Sequence, residues 1–188
     1  VKTPLHIACF GDSLTEGYGL APDAALPSVL QAMLQAEGIG ATCLNFGISG
    51  ETAEDGLHRI QDVISANPDA VIVAFGANDC FVGDSPQAVK ANLSTIIEQF
   101  KRREIAVLLV GISALTNDDE NYRLAFNQIF EELANHYSIP LMPDILASYF
   151  HSSSLKLMDE MHPNEQGVER IAQDMFPHVV RLISQINS

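Results

Sequence analysis

Short apolar runs that alternate with longer stretches of helical periodicity set the tightest limit on what this 188-residue chain can fold into. The runs are Leu5 to Phe10, Ala41 to Phe46, Ala70 to Phe75, Ile105 to Val110 and Ile139 to Met142. Between them, Leu26 to Glu37, Thr52 to Ala66, Pro86 to Arg103 and Tyr122 to Tyr137 read as helices, with a last one from about Asn164 to Ile186. This is the pattern of parallel strands joined by crossover helices. Continuously apolar runs such as Val71-Ile72-Val73-Ala74-Phe75 call for strands covered on both faces. Gly38 stops the first helix, Pro68 separates the second from its strand, and Ser85-Pro86 supplies an N-cap and a first-turn proline for the third. The expected architecture is α/β: a three-layer α/β/α sandwich around a five-stranded parallel sheet. Ligands of such sheets bind outside the carboxyl ends of the strands. A hydrophobic content of 47% suffices for one core, and no repeat or linker divides the chain, so one domain is expected over residues 1–188.

Composition narrows the partners. Ten Lys and Arg against 24 Asp and Glu leave a net charge of −14, which repels phosphate backbones and anionic membrane surfaces. Nucleic acid is therefore not an expected partner. No run reaches the roughly 20 apolar residues of a membrane span, so a soluble chain without an integral membrane segment is expected. No signal peptide is visible, but the chain begins at Val1, and the compartment stays open. A monomer or weak oligomer is expected. Cys9, Cys43 and Cys80 lack the spacing of a zinc site or redox pair and read as small buried hydrophobes, with Cys80 alone beside a candidate motif.

The motifs fall after strands. The first strand runs into Gly11-Asp12-Ser13-Leu14, which sets a hydroxyl at the strand's carboxyl end. Such a serine is either a nucleophile, if a base can take its proton, or a helix cap. The second strand ends in Asn45-Phe46-Gly47-Ile48-Ser49-Gly50, where Gly47 either brings a backbone N–H close to a ligand or simply makes a turn. After the third strand comes Gly76-Ala77-Asn78-Asp79, in which the Asn78 amide is a neutral donor suited to an oxyanion, or part of a turn. Asp159-Glu160-Met161-His162-Pro163 places a carboxylate three residues before an imidazole, close enough to orient it within one loop. A surface pair and half a metal site are the other readings, although no second ligand cluster accompanies it. His6, His58, His136, His151 and His178 lack motif context and read as surface or packing residues. Asp118-Asp119-Glu120 reads as a helix start, where negative charge suits the dipole.

In this order the four fragments resemble the GDSL or SGNH hydrolase family, whose Ser, Gly, Asn and His blocks are matched by Ser13, Gly47, Asn78 and His162. The Asp-x-x-His spacing is matched as well. The similarity runs nearly end to end, and Asn121-Tyr122 through Pro140-Leu141-Met142-Pro143 resembles the bacterial branch of arylesterases, acyl-CoA thioesterases and lysophospholipases. The resemblance implies a flavodoxin-like sheet, a small-molecule ester or thioester substrate, and neither metal nor organic cofactor. It also implies that Ser13, His162 and Asp159 form a triad, with the N–H groups of Ser13 and Gly47 and the Asn78 amide as the oxyanion hole. Carbohydrate O-deacetylation and a non-catalytic carbohydrate- or protein-binding role on the same fold are the rival readings. An α/β-hydrolase is disfavoured because no Gly-x-Ser-x-Gly is present, and a nucleotide-binding module because no phosphate-binding glycine loop is. Two segments depart from the branch. Cys80-Phe81-Val82-Gly83 replaces a usual basic residue and adds an aromatic, and Ile112 to Glu120 replaces a Pro-rich loop with acidic residues. Both are expected to line or flank the acyl pocket, so acyl preference does not carry over.

Overall fold

The structure, a computed structural model, describes residues 4–187. Strand β1 (Leu5–Gly11) is followed by a short helix α1 (Ser13–Glu16), helix α2 (Leu26–Ala36) and strand β2 (Ala41–Gly47). Helices α3 (Ala53–His58) and α4 (Ile60–Ser65) lead to β3 (Ala70–Ala74), and α5 (Ala77–Val82) and α6 (Pro86–Arg102) lead to β4 (Ala106–Val110). Helix α7 (Glu120–Tyr137), strand β5 (Leu141–Met142) and helix α8 (Glu165–Ile186) complete the order. The five strands form one parallel sheet in the order β2-β1-β3-β4-β5. Helix α2 packs against α8 on one face, and α6 packs against α3 and α7 on the other, which gives the expected three layers. The chain reverses direction across the sheet between β1 and its neighbours β2 and β3, so the carboxyl end of β1 is the place where a crevice opens.

Both faces of the sheet are covered, as the apolar runs require. Ile7, Phe10, Val71, Val73, Leu108 and Leu109 are inaccessible to solvent. The Phe10 ring meets Phe75 edge-on at a centroid distance of 4.9 Å and Phe100 at 6.0 Å. Each such ring contributes about 1.5–3 kcal/mol by leaving water. Helix α8 buries Val168, Ile171, Ala172, Met175, Val179 and Leu182, one stripe at three- and four-residue spacing. It tolerates Pro177 because that position is exposed, and the carbonyl left without a backbone donor can turn to water. Asp119 caps α7 by accepting from the Asn121 and Tyr122 N–H groups, and Ser85 caps α6 by accepting from Ala88.

Three local features differ from the sequence expectation. The helix expected over Thr52 to Ala66 is two helices, interrupted at Arg59, whose backbone leaves the helical region at φ −113° and ψ 15°. The interruption turns the Arg59 side chain inward, where it donates to the carbonyls of Gly11 and Phe46 at 3.1 and 2.8 Å. Helix α1 is capped by Asp12 and not by Ser13, which is its first residue, and the segment after Gly76, where a turn is the alternative reading, winds into α5. Strand β5 is only two residues long, because the Ile139 N–H turns back to Ala134 O at the end of α7 and Pro140 has no N–H to give, although its carbonyl still accepts from Leu109 of β4 at 3.0 Å.

Candidate active site

The site is assembled from four loops at the carboxyl edge of the sheet. In the first, Asp12 Oδ1 accepts the Leu14 N–H at 3.0 Å and caps α1, which makes Ser13 the first residue of that helix. No described group accepts the Ser13 N–H. Asp12 is almost wholly buried, and burial, reinforced by the negative charges of Asp79 and Glu51, pushes its carboxyl up to about 7 against the pull of the Leu14 hydrogen bond.

The last loop brings the partners of Ser13. Leu157 N–H donates to His162 O at 2.8 Å, and Lys156 and Pro163 form an isolated antiparallel bridge, so residues 156–163 close into a small turn. Glu160 sits in the left-handed region at φ 56°, which curls the chain so that Asp159 Oδ1 accepts the N–H groups of Met161 and His162 at 2.9 and 3.0 Å. The other carboxylate oxygen lies 2.6 Å from His162 Nδ1, and His162 Nε2 lies 3.1 Å from Ser13 Oγ. With Nδ1 protonated toward Asp159, Nε2 is the acceptor that faces the serine hydroxyl. Partial burial acts upward on the Asp159 carboxyl, but the His162 ring and the two backbone donors together hold it down at about 2. The Tyr18 ring covers the imidazole, with centroids 4.4 Å apart and planes 35° from parallel. The sequence reading did not single out Tyr18; only its place five residues beyond Ser13, between Gly17 and Gly19, hinted that the ring could fold back.

Asn78 belongs to the same site. It lies in the first turn of α5, lines the same cavity as Ser13 and His162, and donates from Nδ2 to Glu51 O at 2.8 Å. Its neighbour Asp79 is buried and accepts the Ala53 N–H at 3.1 Å on both carboxylate oxygens, while burial pushes it up to about 6. Thr52 and Asp55 complete a capping box over the start of α3. The loop from Gly50 to Ala53 is thus tied to the loop that carries Asn78.

Gly47 does not fit the oxyanion role expected of it. Its N–H already donates to Asn45 Oδ1 at 2.9 Å. Its missing side chain serves packing, since a Cβ there would come within 2.2 Å of Glu16 N. In the same loop Ile48 donates to Gly11 O at 3.0 Å, Ser49 to Glu16 Oε2 at 3.1 Å and Glu51 to Ile48 O at 3.4 Å. Gly50, with φ 85° and open space around it, has an N–H that no described group accepts. Both glycines stand in the same six-residue motif, and only the side-chain partner of Gly47 distinguishes them.

Ser13, Asn78 and His162 border a cavity of about 230 Å³. Its walls are mainly apolar, with Leu14, Ile112, Leu146 and Phe150 among them. The two departing segments do line it, through Cys80 and Phe81 in one and Ile112, Ser113 and Thr116 in the other. Burial raises the Cys80 thiol above its ordinary value and keeps it protonated beside Thr116. No group of side chains suited to a metal ion occurs among the described residues, and no described helix is long and apolar enough to cross a membrane.

Known proteins share this arrangement of sequence and fold. An arylesterase of Vibrio mimicus is 31% identical over 174 residues, which cover 90% of this chain and 87% of the relative. Thioesterase 1/protease 1/lysophospholipase L1 of Escherichia coli strain K12 is 30% identical over 175 residues, covering 93% and 83%. The crystal structure of AlinE4, an SGNH-hydrolase family esterase, superposes with a TM-score of 0.81 at 35% identity and covers 96% of this chain and 97% of its own. Residues 9–170 match the GDSL-like Lipase/Acylhydrolase family, and with most of its length inside that match the chain belongs to this family of hydrolases.

Proposed function

We propose that the protein hydrolyses small aryl or fatty-acyl esters and thioesters, lysophospholipids among them, through an acyl-enzyme on Ser13. The observation that carries this reading is the relay of 3.1 and 2.6 Å from Ser13 through His162 to Asp159 at the mouth of an apolar cavity. A serine hydroxyl is a weak nucleophile until a base removes its proton as it attacks. His162 Nε2 takes that proton, and Asp159 holds the tautomer and stabilises the imidazolium. His162 then returns the proton to the leaving alcohol or thiol, and water, activated by the same imidazole, releases the acid.

The tetrahedral oxyanion needs donors that exist before the reaction begins. The proposed set is the N–H of Ser13, the N–H of Gly50 and the second Nδ2 hydrogen of Asn78, the first being bound to Glu51 O. Gly50 takes the place expected for Gly47 because its N–H lacks a competing acceptor. The apolar lining favours an acyl chain or aryl ring over a hydroxyl-rich sugar.

A fluorophosphonate should label the native protein at Ser13 and fail to label it after denaturation. In a panel of p-nitrophenyl esters of rising chain length, palmitoyl-CoA, lysophospholipid and acetylated xylan, turnover is expected on the first three classes. Turnover confined to acetylated xylan would establish the deacetylase reading instead, and absence of labelling would remove the serine mechanism.

A further inference from the structure

Arg59 is the residue at which the helix over residues 53–65 breaks, and its side chain is only 14% exposed. Its Nε donates to Glu51 Oε2 at 2.6 Å, while Nη2 donates to Gly11 O at 3.1 Å and to Phe46 O at 2.8 Å. The guanidinium also lies 4.8 Å over the Phe10 ring. One planar fork therefore joins the last residue of β1, the penultimate residue of β2 and the side chain of Glu51. The backbone carbonyl of that same Glu51 receives the Asn78 amide at 2.8 Å.

We infer that Arg59 and Glu51 form a positioning pair that acts on the reaction through the Asn78 amide; the inference rests on the ester-hydrolase reading above. A primary amide has two N–H groups in one plane, so anchoring one of them on Glu51 O fixes the direction of the other. The anchor is only as firm as Glu51. Glu51 lies in a connecting segment between β2 and α3, and the Arg59 clamp on its side chain keeps its carbonyl from drifting. Lysine could not replace this arginine, because an ammonium offers its donors from a single point, whereas the guanidinium reaches separated acceptors from a rigid plane. Among the described residues the Glu51 carboxylate is the ion-pair partner of Arg59, and both side chains are largely buried, at 14% and 17% exposure. Neither touches the cavity, so they are positioning residues and not catalytic ones.

The test is a double-mutant cycle on the hydrolysis of a p-nitrophenyl ester, with folding of each variant checked by circular dichroism. Glu51→Ala should lower kcat about 10- to 100-fold, the scale of a donor displaced by about an ångström, with KM within about twofold of wild type. Glu51→Gln keeps an acceptor for the Arg59 Nε and should recover kcat to within about threefold of wild type. With Asn78 already replaced by Ala, Glu51→Ala should cost no more than about threefold, because its target is gone. Arg59→Met should lower kcat at least as much as Glu51→Ala, because it also frees the Gly11 and Phe46 carbonyls, and a smaller loss would count against the pair; should that variant not fold, the Glu51 cycle decides alone. The inference is overturned if Glu51→Ala leaves kcat within about twofold of wild type, or if its loss multiplies in full with that of Asn78→Ala. Failure of the hydrolase reading would look different, since unsubstituted protein would then neither turn over the ester nor react with a fluorophosphonate.

Discussion

Asp12 and Asp159 flank the Ser13–His162 hydrogen bond from opposite kinds of structure. Asp12 stands at the end of a buried strand, and its loss of water pushes the carboxyl up to about 7. Asp159 stands on a surface turn, with its side chain 39% exposed, and its donors hold it at about 2. On the sheet side, every loop is tied to another loop: Gly47 to Glu16 by contact, Asn78 to Glu51, Asp79 to Ala53, and Arg59 to three places at once. On the other side, residues 156–163 are held mainly by hydrogen bonds within and beside their own turn, and Met158 is fully exposed. Ser13 and the proposed oxyanion donors are thus placed by the core, whereas His162, the proposed base, is placed by a local turn. Placement by many long-range ties resists displacement, and placement by one turn lets a base be presented without burying its charge.

Four substitutions probe this contrast. Ser13→Ala removes the atom both sides share and should lower kcat on the order of a millionfold, measured on a p-nitrophenyl ester; a modest loss would remove the relay from the mechanism. Asn78→Ala breaks the sheet side alone and should lower kcat roughly a hundredfold to a thousandfold. Near-wild-type turnover in that variant would mean that backbone donors suffice. Tyr18→Ala uncovers the imidazole on the turn side and should cost about tenfold at most, the scale of one aromatic contact. No change in kcat would show that the hydrogen bonds of the turn hold His162 unaided.

The smallest effect concerns pH. Between its ordinary value of 3.8 and about 7, Asp12 keeps in the folded protein a proton that the unfolded chain releases, so its contribution to stability falls as pH rises through that window. Asp159 works in the opposite sense: its contribution is present above the ordinary carboxylate value and is lost as pH falls toward 2. Asp12→Asn retains a cap for Leu14 and should raise Tm relative to wild type by an amount that grows from pH 4 to pH 7. A pH-independent difference in Tm would contradict the burial argument.

Much of this was legible in the sequence, for a definite reason. Continuous apolar runs such as Val71 to Phe75 carry their own signal of two-sided burial, and with the more mixed runs at Leu5 to Phe10 and Ala41 to Phe46 they mark the strands of the observed sheet. Ser13, Asn78, Asp159 and His162 were found as candidates because each lies in a short motif at a strand end or in the last loop, and the fold brings such places together. What stayed hidden depended on distant partners. Ile60 and Val63 continue the apolar period past Arg59, so nothing local announces that the helix breaks there; the carbonyls of Gly11 and Phe46, far away in sequence, are what the side chain meets. The proposed exchange of Gly47 for Gly50 is hidden for another reason: the Asn45 side chain that takes the Gly47 N–H is only two residues away, but which way it turns is not written in the sequence.

The interrupted helix also bears on any attempt to stabilise the protein. Residues 53–65 invite improvement by ordinary helix-design criteria: Gly56 and the break at Arg59 both weaken an otherwise regular element. Yet Gly56 lies so close to Phe75 that a Cβ would come within 2.5 Å of the ring, and a continuous helix would swing the guanidinium away from β1 and β2. Straightening this segment would therefore lose packing against Phe75 and leave the largely buried guanidinium without its acceptors, so a selection for melting temperature should reject the very substitutions that helix propensity recommends. Thermostabilising substitutions are better sought at exposed positions of α6 and α8, neither of which lines the cavity beside Ser13.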